Sequence, residues 1–254
     1  MAKVLFAGES ATIATTHIKG MDAFTHYRYS EASNYLLPKL KENGIEVDYL
    51  PCHDVMAKFP LTAKELSVYD CVAISDLGSN SLLFHPEVLL RSGERPNRLS
   101  AIKEYVHGGG SFLMIGGYMS YAGVENKARF HDTPIEDLMP VEILNYDDRV
   151  ELVEGFKPEV MLPDHPILAG LTDIPRMIFY NQTILKAGAE LVLANRERGR
   201  IDPILAVWNF GKGRAAAFTP DCAPHGAPPE FLNWPQYGRF FANILRYMAK
   251  EETK

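Results

Sequence analysis

The chain has 254 residues, of which 46% are apolar and 23% charged; this supplies enough apolar surface for a buried core and excludes a mainly disordered chain. Its 32 acidic and 26 basic residues leave a net charge of −6. No basic run of the kind that neutralises phosphates is present, so nucleic acid is not an expected partner. Three scattered cysteines, Cys52, Cys71 and Cys222, suit a reducing compartment and fit neither a disulfide framework nor a zinc cage.

The opening residues read as a short buried strand, Lys3–Ala7, that ends at Gly8-Glu9-Ser10. No apolar run is long enough to span a bilayer, so the expectation is a cytoplasmic protein with no membrane partner. Residues 30–43 place Leu36, Leu37 and Leu40 on one helical face and stop at Gly44, with Pro38 predicting a kink. Residues 45–50 alternate as a marginal strand, and Thr62-x-x-Glu65 is a capping box that opens a short helix. Cys71–Ser75 is the next buried strand. Leu99, Ile102, Tyr105 and Val106 then form a helical stripe closed by Gly108-Gly109-Gly110, and Ser111–Ile115 follows as a fourth strand. That rhythm predicts a mostly parallel sheet with helices on both faces.

In the second half, Thr133-Pro134-Ile135-Glu136 reads as another capping box. Strands are expected at 149–153, 177–180, 190–194, 204–208 and 214–219, the last two joined by a hairpin-like turn at 210–213. A final helix over 236–249 carries a broad apolar face. No linker separates the halves, so one domain over 1–254 is expected, its sheet extended by strands from the second half.

In such sheets ligands bind beyond the carboxyl ends of the strands, near the point where strand order reverses. The residues that follow each strand are therefore the candidates: Glu9, then Asp76 with Asn80, then Gly117, Tyr118 and Ser120, and finally Asp221, Cys222 and His225. Glu9, Asp76, Asp221, Cys222 and His225 are the catalytic candidates, because crowded carboxylates beside an imidazole can divide acid and base roles. Gly117, Tyr118, Ser120 and Asn80 are the substrate-binding candidates. An acid after a strand is also a common helix N-cap, which is the plainer reading of Asp76 and Asp221. Cys222 lies three residues before His225 in a proline-bounded loop, where the two side chains could meet as nucleophile and base. Ser10, Thr12, Thr15 and Thr16 suggest a hydroxyl-lined loop, but it lacks the glycines of a phosphate cradle. No cofactor is expected, and no local spacing marks a metal site.

Residues 114–120 (Met-Ile-Gly-Gly-Tyr-Met-Ser), residues 133–141, and the run from Gly211-Lys212-Gly213-Arg214 to Pro220-Asp221-Cys222-Ala223-Pro224-His225 resemble the glutamine amidotransferase-like proteins. They are also similar to the trehalose-utilisation (ThuA-like) proteins. The resemblance runs from Val4 to the last helix. It implies a class I glutamine amidotransferase-like, flavodoxin-like three-layer fold in a cytoplasmic protein, and a homo-oligomer. The family's active members carry a nucleophilic cysteine in a Gly-x-Cys-x-Gly elbow; here the turn reads Gly117-Tyr118-Met119-Ser120-Tyr121, with Tyr118 or Met119 in the nucleophile's place. His85-Pro86-Glu87 spells the family's His-Pro-Glu string but precedes the elbow strand, so it does not correspond. The expectation is a protein that acts on or binds a small polar metabolite without the usual glutaminase chemistry. A non-catalytic binding domain is the alternative, and so is an oligomeric structural subunit that uses Phe240, Phe241, Trp234 and Tyr247.

Overall fold

The computed structural model describes residues 1–197 and 199–251. Strand β1 (Lys3–Gly8) runs into an antiparallel pair, β2 (Ser10–Lys19) and β3 (Asp22–Glu31). Then come α1 (Leu37–Glu42), β4 (Glu46–Leu50), α2 (Cys52–Lys58), α3 (Ala63–Leu66) and β5 (Cys71–Ser75). Helices α4 (Ser79–Leu83), α5 (Pro86–Arg91) and α6 (Arg98–Gly108) lead to β6 (Ser111–Ile115), followed by α7 (Pro134–Leu138). The second half adds β7 (Val141–Ile143), β8 (Arg149–Phe156), β9 (Glu159–Val160), β10 (Met177–Asn181) and β11 (Thr183–Leu185). It closes with β12 (Glu190–Asn195), β13 (Asp202–Phe210), β14 (Gly213–Phe218), α8 (Pro229–Leu232) and α9 (Tyr237–Met248).

The main sheet has eight strands in the order β4-β1-β5-β6-β14-β13-β12-β9. Strands β4, β1, β5, β6 and β14 run parallel, and β13, β12 and β9 extend the sheet antiparallel. Both halves of the chain therefore build one sheet, in the flavodoxin-like α/β layering expected from the sequence. Successive strand residues point to opposite faces, which divides the core in two. Val4, Phe6, Ala73, Leu113, Ile115 and Phe218 pack beneath α1 and α9. Leu5, Ala7, Val72, Ile74, Phe112 and Met114 pack beneath α2, α6 and α7. Phe240 and Phe241 are fully buried in the first layer, and Trp234 and Tyr247 pack against it, so these aromatics are core and not an interface.

Two expectations fail in the segment after β1. Residues 10–16 form a strand and not a hydroxyl-lined loop, and the helix expected from residue 30 starts only at Leu37 because β3 continues to Glu31. Pro38 then falls in the first helical turn, where its missing N–H costs nothing, and no kink follows. The second capping box also differs. Thr133 makes no side-chain cap, and Glu136 instead accepts the N–H groups of Asp132 and Ile143, each at 2.7 Å.

The chain leaving β1 crosses to β4, whereas the chain leaving β5 crosses the other way, to β6. A crevice therefore opens at the carboxyl ends of β1 and β5, as the switch-point rule requires. The two strand ends approach closely: a Cβ on Gly8 would lie 1.8 Å from the Ser75 carbonyl oxygen, and Gly8 holds φ +124°. Only glycine fits there.

Candidate functional site

Glu9 and Asp76 directly follow β1 and β5, and both take positive φ, 52° and 46°. Such backbone costs energy in a non-glycine residue and persists only where neighbours over-determine it. Here they do. The Glu9 N–H donates to the Ser75 carbonyl at 3.2 Å, and the Glu9 carbonyl accepts N–H groups from Ala32 and Ser33 at 2.8 and 3.1 Å. The Asp76 N–H donates to Ser120 Oγ at 3.1 Å, and Asp76 Oδ1 accepts the Met119 N–H at 2.7 Å.

The third contributor is the loop after β14. Tyr237 Oη donates to the Cys222 carbonyl at 2.6 Å, tying the loop to α9, and Asp221 Oδ1 accepts the Ala223 N–H at 2.7 Å. This turn presents His225 between two buried carboxylates. Its Nδ1 lies 2.5 Å from Asp221 Oδ2 and its Nε2 lies 3.1 Å from Glu9 Oε2. The other Glu9 oxygen accepts the Ser75 hydroxyl and lies 3.5 Å from Cys222 Sγ. Residues more than two hundred positions apart thus share one hydrogen-bonded unit, which the parallel strand direction brings to one rim.

Charge explains the unit's state. Burial alone would push the His225 imidazole down, but its bonds to Asp221 and Glu9 and their charges outweigh that and lift it to about 11. Burial pushes Asp221 up to about 7 against the opposing pull of His225. Burial and then the Glu9 charge also raise Asp76, partly offset by His225 and by the Met119 N–H. At neutral pH the histidine is therefore a cation held by acids.

The nucleophile–base pair considered for Cys222 and His225 does not form. Glu9 stands between them, both ring nitrogens of His225 face carboxylates, and Cys222 contacts Ser75 Oγ at 3.5 Å. Cys222 is buried, and burial together with Glu9 and Asp221 pushes its thiol well above the usual range, the reverse of an activated thiolate.

The substrate-binding candidates also scatter. Tyr118 points outward, its hydroxyl donating to Glu151 Oε1 at 2.5 Å and its ring lying beneath Arg149. Ser120 is buried, donates to the Ile115 carbonyl at 2.6 Å and accepts the Asp76 N–H, so it braces the rim. Asn80 lies exposed on α4 and is not among the residues that line the cavity beside Glu9. Gly117 (φ +150°) passes close under Asp76, where a Cβ would sit 2.7 Å from Asp76 Oδ1. His85 caps α5, its Nδ1 accepting the Glu87 N–H.

A cavity of about 530 Å³ opens beside the unit, lined by Glu9, Asp76, Pro224 and His225 on one side. The β2–β3 pair supplies the other side with Ala11, Ile13, Arg28 and Ser30. Sequence reasoning missed that wall because it did not find the strands. It also missed Asp148 and Asn181. Asn181 Oδ1 accepts the Gly117 N–H at 3.0 Å while its Nδ2 donates to Asp148 Oδ1 at 2.8 Å, and Asp148 also accepts the N–H groups of Ala122 and Gly123. No spacing signal links these positions.

Among the described residues, Glu9, Asp221 and Cys222 offer ligand atoms within 4.8 Å of one another, as do His131, Asp132 and Glu136. The first set could hold a divalent ion only by releasing the His225 and Ser75 bonds that already engage its carboxylates. In the second, Glu136 is occupied as an acceptor of backbone N–H groups.

A family model described as "Putative glutamine amidotransferase" matches residues 3–250. Two solved structures are similar over almost their whole length. Cytoplasmic Protein STM3548 from Salmonella typhimurium shares 40% identity over 96% of this chain and 98% of that one, with a TM-score of 0.91. Cytoplasmic Protein STM1381 from Salmonella typhimurium LT2 shares 39% identity over 97% and 99%, also with a TM-score of 0.91. A ThuA-like protein from Bacteroides uniformis ATCC 8492, 13% identical, covers 99% of this chain and 93% of its own at a TM-score of 0.56, a likeness of fold. No curated protein matches. Fold, family model and neighbours agree, and the chain belongs to the family described as Putative glutamine amidotransferase.

Proposed function

We propose that the cavity binds a small polar metabolite and that Asp76 performs acid–base chemistry on it while the His225 cation stabilises developing negative charge, in a reaction of the hydrolase or lyase kind without a cysteine nucleophile. The observation that carries this reading is the Asp221–His225–Glu9 unit. Its two acids are buried, and its one exposed member, His225, has 42% of its side chain open beside the cavity. A protonated imidazole fixed there offers a positive charge to an oxygen on which negative charge develops. Asp76, its carboxyl raised above the usual carboxylate range by burial and by Glu9, is the group placed to take or give a proton. Attack by a thiolate has no support in the residues. Burial raises the thiols of Cys52, Cys71 and Cys222 alike, and the turn after β6 contains no cysteine. The protein would work in the cytoplasm, in keeping with the names of the two Salmonella proteins; no described helix is long and apolar enough to cross a membrane.

A second reading, binding without turnover, is favoured by one observation: both ring nitrogens of His225 already face carboxylates. A thermal-shift screen of small polar metabolites, with each stabilising compound recovered and analysed by NMR, separates the two. The expected result is a ligand whose stabilisation is lost in His225→Gln, kept when the α6 cap is removed by Asn97→Ala, and which is recovered chemically changed. Recovery of the compound unchanged supports binding alone. Undiminished stabilisation of His225→Gln places the ligand elsewhere and overturns both.

A further inference from the structure

The β2–β3 pair is an arm. Its ten-residue strands extend about 33 Å at 3.3 Å per residue, and among the described residues each pairs only with the other. Gly20, at φ +65°, opens the two-residue turn at its tip, the glycine position of a tight hairpin. The root is fixed: Ser33, Tyr29 and Tyr49 all donate to the Glu31 carboxylate, and the Tyr29 ring meets His53 of α2 edge-on. Beyond the root almost every residue is exposed, including Ile18 (76%), Met21 (104%), Phe24 (54%) and Tyr27 (70%). A long ribbon with two open edges and exposed aromatic and β-branched side chains is a template for association unless something covers it.

We infer that a second copy of this chain covers it, arm against arm about a two-fold axis. Two observations select that occupant. Residues 10–31 carry Lys19, Arg28, Asp22 and Glu31 and so sum to zero charge, while the chain as a whole carries −6. A second, equally acidic copy that docks on the arm therefore meets no net repulsion there, and the arm has no charge bias to recruit a basic or acidic partner. Its 22 residues also match the roughly 20–30 residues a side of a standard interface. Antiparallel pairing of an open edge with its own copy is self-complementary, as a two-fold interface requires.

Sedimentation velocity at micromolar concentration tests this directly. The expected result is a particle of twice the chain mass. It becomes monomeric when residues 14–27 are replaced by an Asn-Gly turn, which keeps the Ile13–Arg28 pair at the root. It also becomes monomeric with the paired substitutions Phe24→Glu and Tyr27→Glu, which touch no buried residue; this double variant should keep the wild-type far-ultraviolet circular dichroism, and both variants should still unfold in one cooperative transition. A monomeric wild-type chain overturns the inference, and so does a dimer that survives both arm variants. Monomers that float with anionic phosphatidylserine vesicles through the arm would overturn it in favour of a lipid surface.

Discussion

Asp148 and Asp221 are both buried to about 1% exposure, and burial raises both carboxyls, Asp148 to about 6 and Asp221 to about 7. Their partners differ. Asp148 is held by dipoles alone, from Asn181 and the N–H groups of Ala122 and Gly123, and it knits the turn after β6 to β10. Asp221 is held by a cation, His225, which itself opens beside a cavity and reaches a second acid, Glu9. A buried carboxylate satisfied by backbone dipoles is complete and reads as structural. One that keeps a half-exposed imidazole protonated leaves chemistry available to a ligand. The two acids share one desolvation problem and solve it for different ends.

The largest expected effect comes from removing the cation. His225→Ala leaves Glu9 and Asp221 buried without their shared partner. It should cost about 2–3 kcal/mol in chemical denaturation, below the 3–5 kcal/mol of a fully buried pair because His225 is partly solvated. Removing a dipole partner should cost less. Asp148→Asn turns one acceptor into a donor facing backbone N–H groups, a loss of about 1–2 kcal/mol in the same assay.

The pH dependence sharpens the contrast. The folded value of Asp148 lies above its unfolded one, so its stabilising contribution is full below about pH 4 and is lost as pH rises through about 6. Asp221 has the same sign and loses its contribution as pH rises through about 7. The His225 contribution is present below its unfolded value near 6.5 and is lost only as pH approaches about 11. Wild-type stability should therefore fall across the neutral range, and Asp148→Asn should flatten the lower part of that fall while leaving the alkaline part. A variant with the wild-type profile would contradict the assignment. The smallest effect is a control on the opposite layer. Asn97 caps α6 through Oδ1, which accepts the N–H groups of Leu99 and Ser100, and Asn97→Ala should cost about 1 kcal/mol with no change in His225 titration.

Much of this was legible in the chain. Buried parallel strands announce themselves as short apolar runs, and the rule that ligands sit beyond their carboxyl ends places Glu9, Asp76, Asp221 and His225 on one rim from the sequence alone. The arm was not legible, because both of its faces meet solvent and no apolar alternation marks a core side. Its threonines therefore read as a loop. Tyr118 and Ser120 follow a strand as Glu9 does, yet the chain turns at Gly117, sending Tyr118 outward and Ser120 into the wall. Which way a turn throws its side chains depends on dihedrals that spacing does not encode. Asp148 and Asn181 lie on separate late segments, and only the folded sheet brings them to Gly117.

The central claim is that His225 is a cation held between two acids beside the cavity. An NMR titration of its imidazole nitrogens in the wild-type protein tests it most directly. The account predicts that both nitrogens stay protonated through neutral pH and that the ring loses its proton only well into the alkaline range. A ring that titrates near 6.5, as a free histidine does, would contradict it.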